Sequence, residues 1–489
     1  MGEAPPGGIS KESPAMHVLL RHLGEHRGAP RLYLDTTALA TAGFKPGVSI
    51  DISSGAADEA RLTIRVANAG KRKVSRKQRG RHEVPVIDIN SKRDLQLFAA
   101  AGLVRVVIEP GAVHILMPAS VRKALARSAR LAAKLALGQP LRTAGIAFGA
   151  GIASGAIHAG LAAGGVSSEL ALANEICEEY LDIGRLSNPV VATTTTTAAM
   201  PMQELAQDEW LLQRTQTVEI LEAGIPCSGA SRAGAAKRGL TRMEDHPHVG
   251  HLIGAALQVI AALQPAILVV ENVETYRNTA SASILRAWLR DAGYAVAETV
   301  LNARDFGSLE ARVRWFLVAY PPELPLDLQE MAPEETARPC LGDLLEPMDP
   351  EDVRYRCVDY LKDKQERDAE KGKHFSMQLL TPASTLVPVL RKGYHKGGST
   401  DPRLLHPTDP ERSRLLTAAE HARIKGISPD LVDGVPETTA HQVCGQSVDV
   451  RPVHAIGRRI AQVLKALGRP GSGASGLSRQ HATGLVAVG

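Results

Sequence analysis

Between Arg31 and Pro118, short runs of β-branched and other apolar residues alternate with Gly- and Pro-containing turns. This pattern predicts a small β-barrel or β-sandwich over residues 31–118. The runs are Arg31–Leu34, Val48–Ile52, Leu62–Val66 and Val104–Ile108. Residues 1–30, which are polar with Gly and Pro, are predicted to be a flexible N-terminus.

The pattern changes after Ala119–Leu137, an Ala/Leu/Arg/Lys-rich stretch that predicts a helical connector over 119–139. From residue 140 to 325, apolar strands alternate with helices in the βαβ manner. This alternation predicts an α/β fold with a doubly wound, mostly parallel sheet, whose functional loops lie at the carboxyl ends of the strands. The predicted strand ends fall near Phe148, Glu175, Cys227 and Glu271.

Residues 326–412 interrupt this alternation and are rich in charge and proline. We predict a separate small domain with little regular structure, which includes a polar helix over Lys362–Lys373. Thr417–Glu420 has the form of a capping box and predicts a helix to about Lys425, within a return to the core over 413–466. Residues 467–489 are Gly/Ser-rich and predicted to be disordered, and the run Thr193–Thr197 fits either a strand or a loop.

Composition narrows the function classes. The 489 residues are 44% apolar but only 3% aromatic, and the net charge is +5. A mildly basic chain permits a polyanionic partner. The five cysteines form no C-x-x-C pair, so neither a disulfide framework nor a metal site is predicted, and a reducing, cytoplasmic setting fits best. No segment has the apolar length of a secretion signal or a membrane span, so neither is expected.

The basic segment, Lys71–Arg81, carries seven positive and no negative charges. Such a run is either a solvated hairpin tip or a surface that contacts phosphates. The β-rich domain that contains it is therefore a candidate for binding DNA or a partner.

The most informative residues are Ile225-Pro226-Cys227-Ser228-Gly229, followed 44 residues after the cysteine by Glu271-Asn272-Val273. A proline fixes the loop in front of the thiol, and Arg232, Lys237 and Arg238 provide positive charge that favours the thiolate. Glu271 follows an apolar run, which favours a protonated carboxyl. A thiol nucleophile paired with an acid suits attack on an electron-poor ring whose nitrogen is protonated.

Two further groups accompany this pair. Phe148-Gly149-Ala150-Gly151 before a helix, with Glu175 at the next strand end, is typical of a nucleotide-type cofactor site, although small-residue turns before helices are common. Arg312 and Arg314 are two apart on a predicted strand and would share a face, where they either stabilise a carbonyl oxygen or line a surface edge.

In their order and spacing these motifs resemble those of the DNA (cytosine-5) methyltransferase family, over about residues 143–465. The resemblance implies that Cys227 attacks carbon 6 of a flipped cytosine, that Glu271 contacts ring nitrogen 3, and that Arg314 with Arg312 holds the base carbonyl. The methyl donor would be S-adenosylmethionine. The implied cofactor residues are Phe148, Gly149, Gly151, Glu175, Ile176, Gln446 and Ser447.

The resemblance also implies double-stranded DNA as the partner, with residues 326–412 as the target-recognition domain. The predicted DNA contacts are Ser228, Arg232, Arg391, Lys392, Tyr394, Lys396, Ser399 and Thr400. We expect a monomer that is either an orphan enzyme or part of a restriction-modification system, with a cognate restriction endonuclease as a candidate partner.

The chain departs from the family pattern at several positions. Ser228 stands where Gln is usual, Leu309-Glu310 replaces Pro-Gln, and Gly445-Gln446-Ser447 replaces Gly-Asn-Ser. The aspartate expected to contact adenine is not evident after the threonine run. None of these changes removes a group that makes or breaks bonds. The alternatives are an RNA cytosine-5 methyltransferase, a non-catalytic DNA-binding regulator with the same fold, and a thiol hydrolase, which would leave the other motifs unexplained.

Overall fold

The computed structural model describes residues 16–55, 61–99, 101–226, 241–331 and 339–467. These residues form two compact units. Unit 1 is built from residues up to 126 together with 291–293, and unit 2 from 127–290 and the described residues from 294 onward. None of the helices in these ranges is both long enough and apolar enough to cross a membrane.

Unit 1 is built from two antiparallel sheets, whose buried apolar side chains form one core cluster. The strand orders are β1-β9-β10-β5-β4-β6 and β2-β3-β8-β7. The strands are β1 (His17–His22), β2 (Gly24–His26), β3 (Ala29–Leu34), β4 (Ser49–Ser54), β5 (Arg61–Val66), β6 (Arg72–Lys73), β7 (Ser75–Arg79), β8 (His82–Asn90), β9 (Leu103–Glu109) and β10 (Ala112–Leu116). Two short helices, α1 (Ala38–Thr41) and α2 (Lys92–Ala99), accompany them.

The prediction of a flexible N-terminus is wrong for residues 17–26, which form β1 and β2. Strand β1 pairs along its whole length with β9, from His17 opposite Ile108 to His22 opposite Leu103. Backbone pairing and the contacts of Leu19 and Leu23 with the core cluster order this segment, although most side chains of β1 are exposed.

Helix α3 (Ala119–Ala136) occupies the predicted connector. Its second half, in unit 2, contacts the start of the central sheet through Glu219, which is fully buried. Arg130 Nε and Lys134 Nζ each lie 2.8 Å from a carboxylate oxygen of Glu219. Two cations on successive helical turns thus neutralise one buried anion and attach α3 to the sheet.

In the described part of unit 2 the central sheet has seven strands in the order β13-β12-β11-β14-β15-β17-β16. The first five run parallel, and β17 runs antiparallel to both of its neighbours, β15 and β16, so that β16 has the same direction as the first five. The predicted doubly wound α/β fold is therefore confirmed. The strands are β11 (Leu141–Ile146), β12 (Ser168–Glu175), β13 (Thr196–Ala199), β14 (Ile220–Ala223), β15 (Ile267–Val273), β16 (Ala295–Asn302) and β17 (Val313–Tyr320). The helices among them are α4 (Ile152–Ala163), α5 (Glu178–Ser187), α6 (Met202–Leu205), α7 (Glu209–Thr215), α8 (Leu252–Leu263) and α9 (Ala280–Asp291).

The region after β17 has its own small sheet and apolar cluster. The sheet order is β18-β21-β20-β19, and a polar helix crosses the segment. The cluster includes Leu341, Leu380, Val387, Leu390 and Leu404. The elements are β18 (Arg356–Cys357), α10 (Asp359–Glu370), β19 (Leu379–Leu380), β20 (Arg403–Leu405) and β21 (Arg412–Arg414).

The chain then returns to the core through α11 (Ala418–Ile424), α12 (Glu437–Gln446) and α13 (Val450–Leu467). The predicted capping box is confirmed: the Thr417 side chain and Glu420 cap the start of α11 reciprocally. Helix α13 packs closely on α4, since a Cβ added at Gly160 would lie 2.2 Å from the carbonyl oxygen of His454.

Short 3₁₀ turns complete the fold of unit 2, at Met243–Asp245, Glu274–Asn278, Ala303–Phe306, Leu328–Glu330, Leu341–Leu344, Tyr394–Lys396 and Pro429–Leu431.

Candidate active site

The strands that carry the predicted site residues end at the same edge of the sheet. Ile146 at the end of β11 is in register with Ala223 of β14, and Ala223 is in register with Val270 of β15. Ile146 is also opposite Asn174 of β12. The loops that follow these strands therefore emerge side by side, as expected for ligand sites on open α/β sheets.

The glycine loop is held in place by Glu175. One carboxylate oxygen accepts a hydrogen bond from the Gly149 N–H at 2.8 Å, and the other accepts one from the Cys177 N–H at 3.0 Å. Gly151 has a φ of 78°, and an added Cβ would lie 2.4 Å from the Phe148 ring. Glycine is therefore required here both for the left-handed backbone and for the contact with the buried Phe148.

The C-terminal motif approaches this loop from another direction. The Gln446 side-chain nitrogen lies 3.8 Å from the point that a Cβ on Gly149 would occupy. The Ser447 hydroxyl instead donates to the carbonyl oxygen of Cys444 at 2.8 Å, inside its own turn. Of the predicted cofactor residues, Phe148, Gly149, Gly151, Glu175 and Gln446 come together, whereas the hydroxyl of Ser447 is directed to its own backbone.

These groups fit S-adenosylmethionine. Glu175 has accepted two backbone hydrogen bonds and keeps lone pairs for the hydroxyls of a ribose. The neighbouring Ile176 is 69% exposed, so an apolar surface is available to a flat adenine ring. Helix α4 begins at the loop with no side-chain cap on its first N–H groups, which suits a polar or anionic part of the ligand.

The loop that carries the nucleophile begins in the described chain and continues outside it. Cys227, Ser228 and Arg232 lie outside the described residues. The entry to the loop is fixed, because the buried Asn272 side chain donates to the carbonyl oxygen of Ile225 at 2.9 Å. Asn272 thus connects the Glu-Asn-Val motif directly to the loop that contains Pro226. The sequence alone did not indicate this role.

Glu271 has an ionic partner rather than a purely apolar environment. Its Oε1 lies 2.8 Å from Arg314 Nε, and both side chains are mostly buried, with 19% and 18% exposed. The side chain therefore has a cationic partner in addition to the apolar wall that the sequence indicated. Contact of Glu271 with a base requires Arg314 to find another partner.

Arg312 does not share the surroundings of Arg314. It is buried, which excludes the surface-edge interpretation, and its guanidinium donates to the carbonyl oxygens of Gly445, at 3.2 Å, and Ser447. Burial lowers the pKa of Arg312 to about 10, and the nearby Arg314 contributes to this lowering while Glu310 opposes it. Arg312 therefore anchors the C-terminal motif, and only Arg314 contacts Glu271.

Behind these arginines lies a buried ion cluster formed by Glu310, Arg312 and Lys425. Lys425 Nζ is 2.9 Å from Glu310, and both side chains are fully buried. Glu310 also accepts the backbone N–H of Leu390 at 2.8 Å, and Arg312 Nη1 lies 3.5 Å from it. Burial lowers the pKa of Lys425 to about 8. Burial raises the pKa of Glu310, but the two cations lower it, and the pKa stays below its ordinary value. Glu310 was evident in the sequence as a departure, but nothing there pointed to Lys425.

Glu222 is a second acid that the sequence reasoning missed. It lies on β14 two positions before Gly224, and the Ser154 hydroxyl of α4 donates to it at 2.8 Å. Burial raises the pKa of Glu222 to about 8; the Ser154 hydrogen bond opposes this, and the Glu271 charge adds to it. One acidic residue in an otherwise apolar four-residue strand, Ile220–Ala223, was the available signal.

The predicted DNA contacts divide into two groups. Arg391 Nη2 donates to Thr400 Oγ1 at 2.9 Å and lies 2.6 Å from Asp401, and Lys392 Nζ lies 5.1 Å from the centre of the Tyr180 ring. The side chains of Arg391, Lys392, Lys396 and Thr400 are exposed, and that of Ser399 is half-buried.

Tyr394, in contrast, is fully buried against His421 and His441, and its hydroxyl donates to the carbonyl oxygen of Pro402. The prediction that Tyr394 contacts DNA is therefore wrong.

Comparison with known proteins agrees with this geometry. A family model for C-5 cytosine-specific DNA methylases matches residues 150–462, well over half of the chain. The chain belongs to the C-5 cytosine-specific DNA methylase family. Its similar proteins include the Type II methyltransferase M.NlaX of Neisseria lactamica, 30% identical over 257 residues that span 51% of this chain and 78% of that protein. Another is the Type II methyltransferase M.MspI of a Moraxella species, 28% identical over 51% of this chain and 57% of that protein.

Solved structures show the same fold. Dnmt2 methyltransferase of S. pombe superposes with a TM-score of 0.52 at 18% identity, covering 68% of this chain and all of that chain. The predicted family, enzyme class and methyl donor are confirmed: the chain is a DNA (cytosine-5) methyltransferase that uses S-adenosylmethionine. Covalent attack by a cysteine is general to this family. The matched region begins after residue 126, so the N-terminal segment that forms most of unit 1 lies outside it.

Proposed function

We propose that this enzyme methylates cytosine within a specific sequence of double-stranded DNA through a covalent bond to Cys227. The observation that carries the assignment is the connection between the two motifs that contain the predicted catalytic residues. Asn272 holds the backbone of Ile225, two residues before Cys227, and it directly follows Glu271. A flipped cytosine that meets the thiol of this loop would therefore also meet the carboxyl group at the end of β15.

In the proposed reaction, the Cys227 thiolate adds to carbon 6 of the base, and the electron pair that is displaced makes carbon 5 nucleophilic. Bound S-adenosylmethionine supplies an electrophilic methyl group. Water then takes the proton from carbon 5, the electron pair of that bond re-forms the double bond between carbons 5 and 6, and the Cys227 thiolate leaves carbon 6. Both the sulfur–carbon bond and the proton are accounted for without a redox partner.

Glu271 and Arg314 have to exchange partners when the base enters. In the free enzyme the two side chains form an ion pair, with 2.8 Å between Glu271 Oε1 and Arg314 Nε. We infer that the carbonyl oxygen of cytosine takes the Arg314 guanidinium, and that Glu271 then shares a proton taken from solvent with ring nitrogen 3. Catalytic hydrogen bonds commonly form only in the complex, so the free geometry is compatible with this exchange. Arg312 acts as a positioning residue, because it contacts the backbone of residues 445–447.

On the cofactor side, we assign Glu175 to the ribose hydroxyls, Ile176 to the adenine face, and the Gly149 and Gly151 backbone with Phe148 and Gln446 to the remainder of the ligand. On the DNA side, we assign Arg391, Lys392, Lys396, Ser399 and Thr400 to the duplex, together with Ser228 and Arg232 of the nucleophile loop. Arg391 is held by Thr400 and Asp401, which supports a preformed rather than a disordered contact.

One chain contains every proposed catalytic residue, which supports action as a monomer. Similarity to Type II methyltransferases supports a cognate restriction endonuclease as a partner, in the cytoplasm of a bacterial or phage-infected cell.

The test is transfer of a labelled methyl group from S-adenosylmethionine to genomic DNA, followed by bisulfite sequencing. Wild type should methylate cytosine in one short motif, and Cys227→Ala should lose the activity. Cys357→Ala is the matched control, because this cysteine is exposed and outside the proposed site, and it should keep full activity. Label that enters RNA but not DNA would overturn the DNA assignment and favour an RNA substrate.

A further inference from the structure

The basic segment of unit 1 has no role in the reaction described above. Residues 16–126 contain 18 Lys and Arg against nine Asp and Glu, although the whole chain has a net charge of only +5. Unit 1 is therefore far more basic than the rest of the protein. Seven of its 18 cations are concentrated between Lys71 and Arg81.

In the structure this segment lies at the exposed edges of the two sheets of unit 1. It contains β6 and β7, which are edge strands of the two different sheets of unit 1. Val74 lies between them and is buried in the core, and Val84 on the paired strand β8 is also buried. All five side chains of β7 are exposed, and Gly80, with a φ of 60°, closes the turn to β8. The backbone is thus held by the sheets while the charges point into solvent.

Only part of this charge is neutralised within unit 1. Asp35 lies 3.0 Å from Lys77 and 3.4 Å from Arg79, Glu83 lies 3.5 Å from Arg76, and Asp94 lies 3.7 Å from Arg72. Among the described residues, no ion pair involves the other three cations, Lys71, Lys73 and Arg81, all of which are exposed. Three acids therefore face seven cations, and an excess of positive charge remains on one surface.

Edge strands often carry a lysine that prevents pairing with another molecule. One or two charges are enough for that purpose, and the three unpaired cations go beyond it. Exposed cations without an ion-pair partner, on a segment that pairs with two sheets, are instead suited to contact with the phosphates of a nucleic-acid strand.

We propose that the basic segment binds the phosphate backbone of duplex DNA, so that unit 1 provides a DNA contact that does not depend on base sequence. This proposal rests on DNA being the substrate of the enzyme. It assigns no base recognition to unit 1, because phosphate contacts position a duplex but do not read its sequence.

The test compares full-length variants by fluorescence anisotropy on a duplex that contains the methylation motif, over a series of salt concentrations. The triple variant Lys71→Gln/Lys73→Gln/Arg81→Gln removes only cations without an ion-pair partner, so no carboxylate is left uncompensated. Each lost phosphate contact lowers the slope of log affinity against log salt by about 0.9, so the triple variant should lose up to about 2.7 of slope.

Two controls sharpen the comparison. Arg21→Gln/Arg122→Gln/Lys123→Gln removes the same charge from unit 1 outside the segment and should keep the wild-type slope. Lys71→Arg/Lys73→Arg/Arg81→Lys keeps the charge of the segment and should also keep the wild-type slope. Size-exclusion chromatography of the first triple variant checks the rival role, because edge protection predicts self-association rather than a changed slope.

An unchanged slope in the Lys71/Lys73/Arg81 variant would overturn the proposal, as would an equal loss in the Arg21/Arg122/Lys123 control, which would indicate a general effect of net charge. Failure of the proposed function gives a different result, namely no methyl transfer by the wild type. A loss of slope on duplex RNA but not on DNA would assign the surface to RNA and would also refute the proposal.

Discussion

Unit 2 contains a buried cluster whose cations have an acidic partner, whereas unit 1 exposes three cations that have no ion-pair partner among the described residues. Glu310 and Lys425 are fully buried and 2.9 Å apart, and Arg312 completes the cluster. Lys71, Lys73 and Arg81 are exposed on a fixed backbone. A buried charge costs several kcal/mol unless it is paired, while an exposed charge costs almost nothing. The first arrangement therefore maintains a geometry, and the second is available for a ligand.

The buried ion cluster also explains how the chain accommodates its departure from the family pattern. A glutamate buried at position 310 would be unfavourable without a counterion, and Lys425 provides it together with Arg312. Because Glu310 also accepts the N–H of Leu390, the cluster connects the predicted target-recognition region to Arg312. The substitution and its compensation thus form one structural feature contributed by three segments of the chain.

The largest effect is expected from breaking this cluster. Lys425→Ala leaves Glu310 buried with a weaker counterion and should lower the free energy of unfolding by about 3–5 kcal/mol. Denaturant unfolding measures it. The double variant Glu310→Gln/Lys425→Met removes both charges, and the amide oxygen that it introduces at position 310 can still accept from Leu390, so it should recover most of the loss. A Lys425→Ala variant as stable as the wild type would contradict the cluster's role.

The Glu271–Arg314 ion pair is intermediate between the buried cluster and the exposed cations, because its side chains are only partly exposed. In the proposed reaction this ion pair separates. Glu271→Gln removes the proton transfer to the base and should lower kcat by about 10²–10⁴-fold. Binding of S-adenosylmethionine, measured by calorimetry, should remain within about twofold. A variant with normal kcat would exclude Glu271 as the acid.

Glu222 is a buried acid without a cationic partner among the described residues, and the pH dependence of stability tests its burial. Its folded pKa of about 8 lies above its ordinary value, so the folded state binds the extra proton and stability falls as pH rises from about 5 to 8. The slope should approach about 1.4 kcal/mol per pH unit. Glu222→Gln should abolish this component. Glu169→Gln, which removes an exposed carboxylate on β12 of the same sheet, should not. Parallel stability–pH curves for the wild type and Glu222→Gln would show that Glu222 is not buried as described.

The smallest effect on stability is expected at the basic segment. Each of Lys71→Gln, Lys73→Gln and Arg81→Gln should change the free energy of unfolding by no more than about 0.5 kcal/mol, because no ion-pair partner is lost. Thermal unfolding of the triple variant checks this. A large destabilisation would mean that these cations support the fold, and the contrast between the two units would no longer hold.

Local patterns in the sequence predicted the elements of unit 2 well. Helix α4 and the capping box of α11 depend on neighbouring residues, and the parallel sheet follows from the alternation of strands and helices. Errors arose where distant segments decide the outcome. Tyr394 lies in a basic, glycine-containing run that suggested a surface loop, yet its ring packs on His421 and His441 from two later helices. Arg312 and Arg314 were expected to share a function, but Gly445 and Ser447 engage only one of them. The order of β1 likewise depends on its pairing with β9, far along the chain.

The central claim is that Cys227 bonds covalently to the target base. The most direct test is incubation with S-adenosylmethionine and a duplex in which 5-fluorocytosine replaces the target cytosine, because fluorine at carbon 5 cannot leave as a proton would. Wild type should form an adduct that survives denaturation, and peptide mass spectrometry should find the modification on Cys227. Absence of an adduct with wild type under conditions of active methyl transfer, or an adduct that persists in Cys227→Ala, would contradict the account.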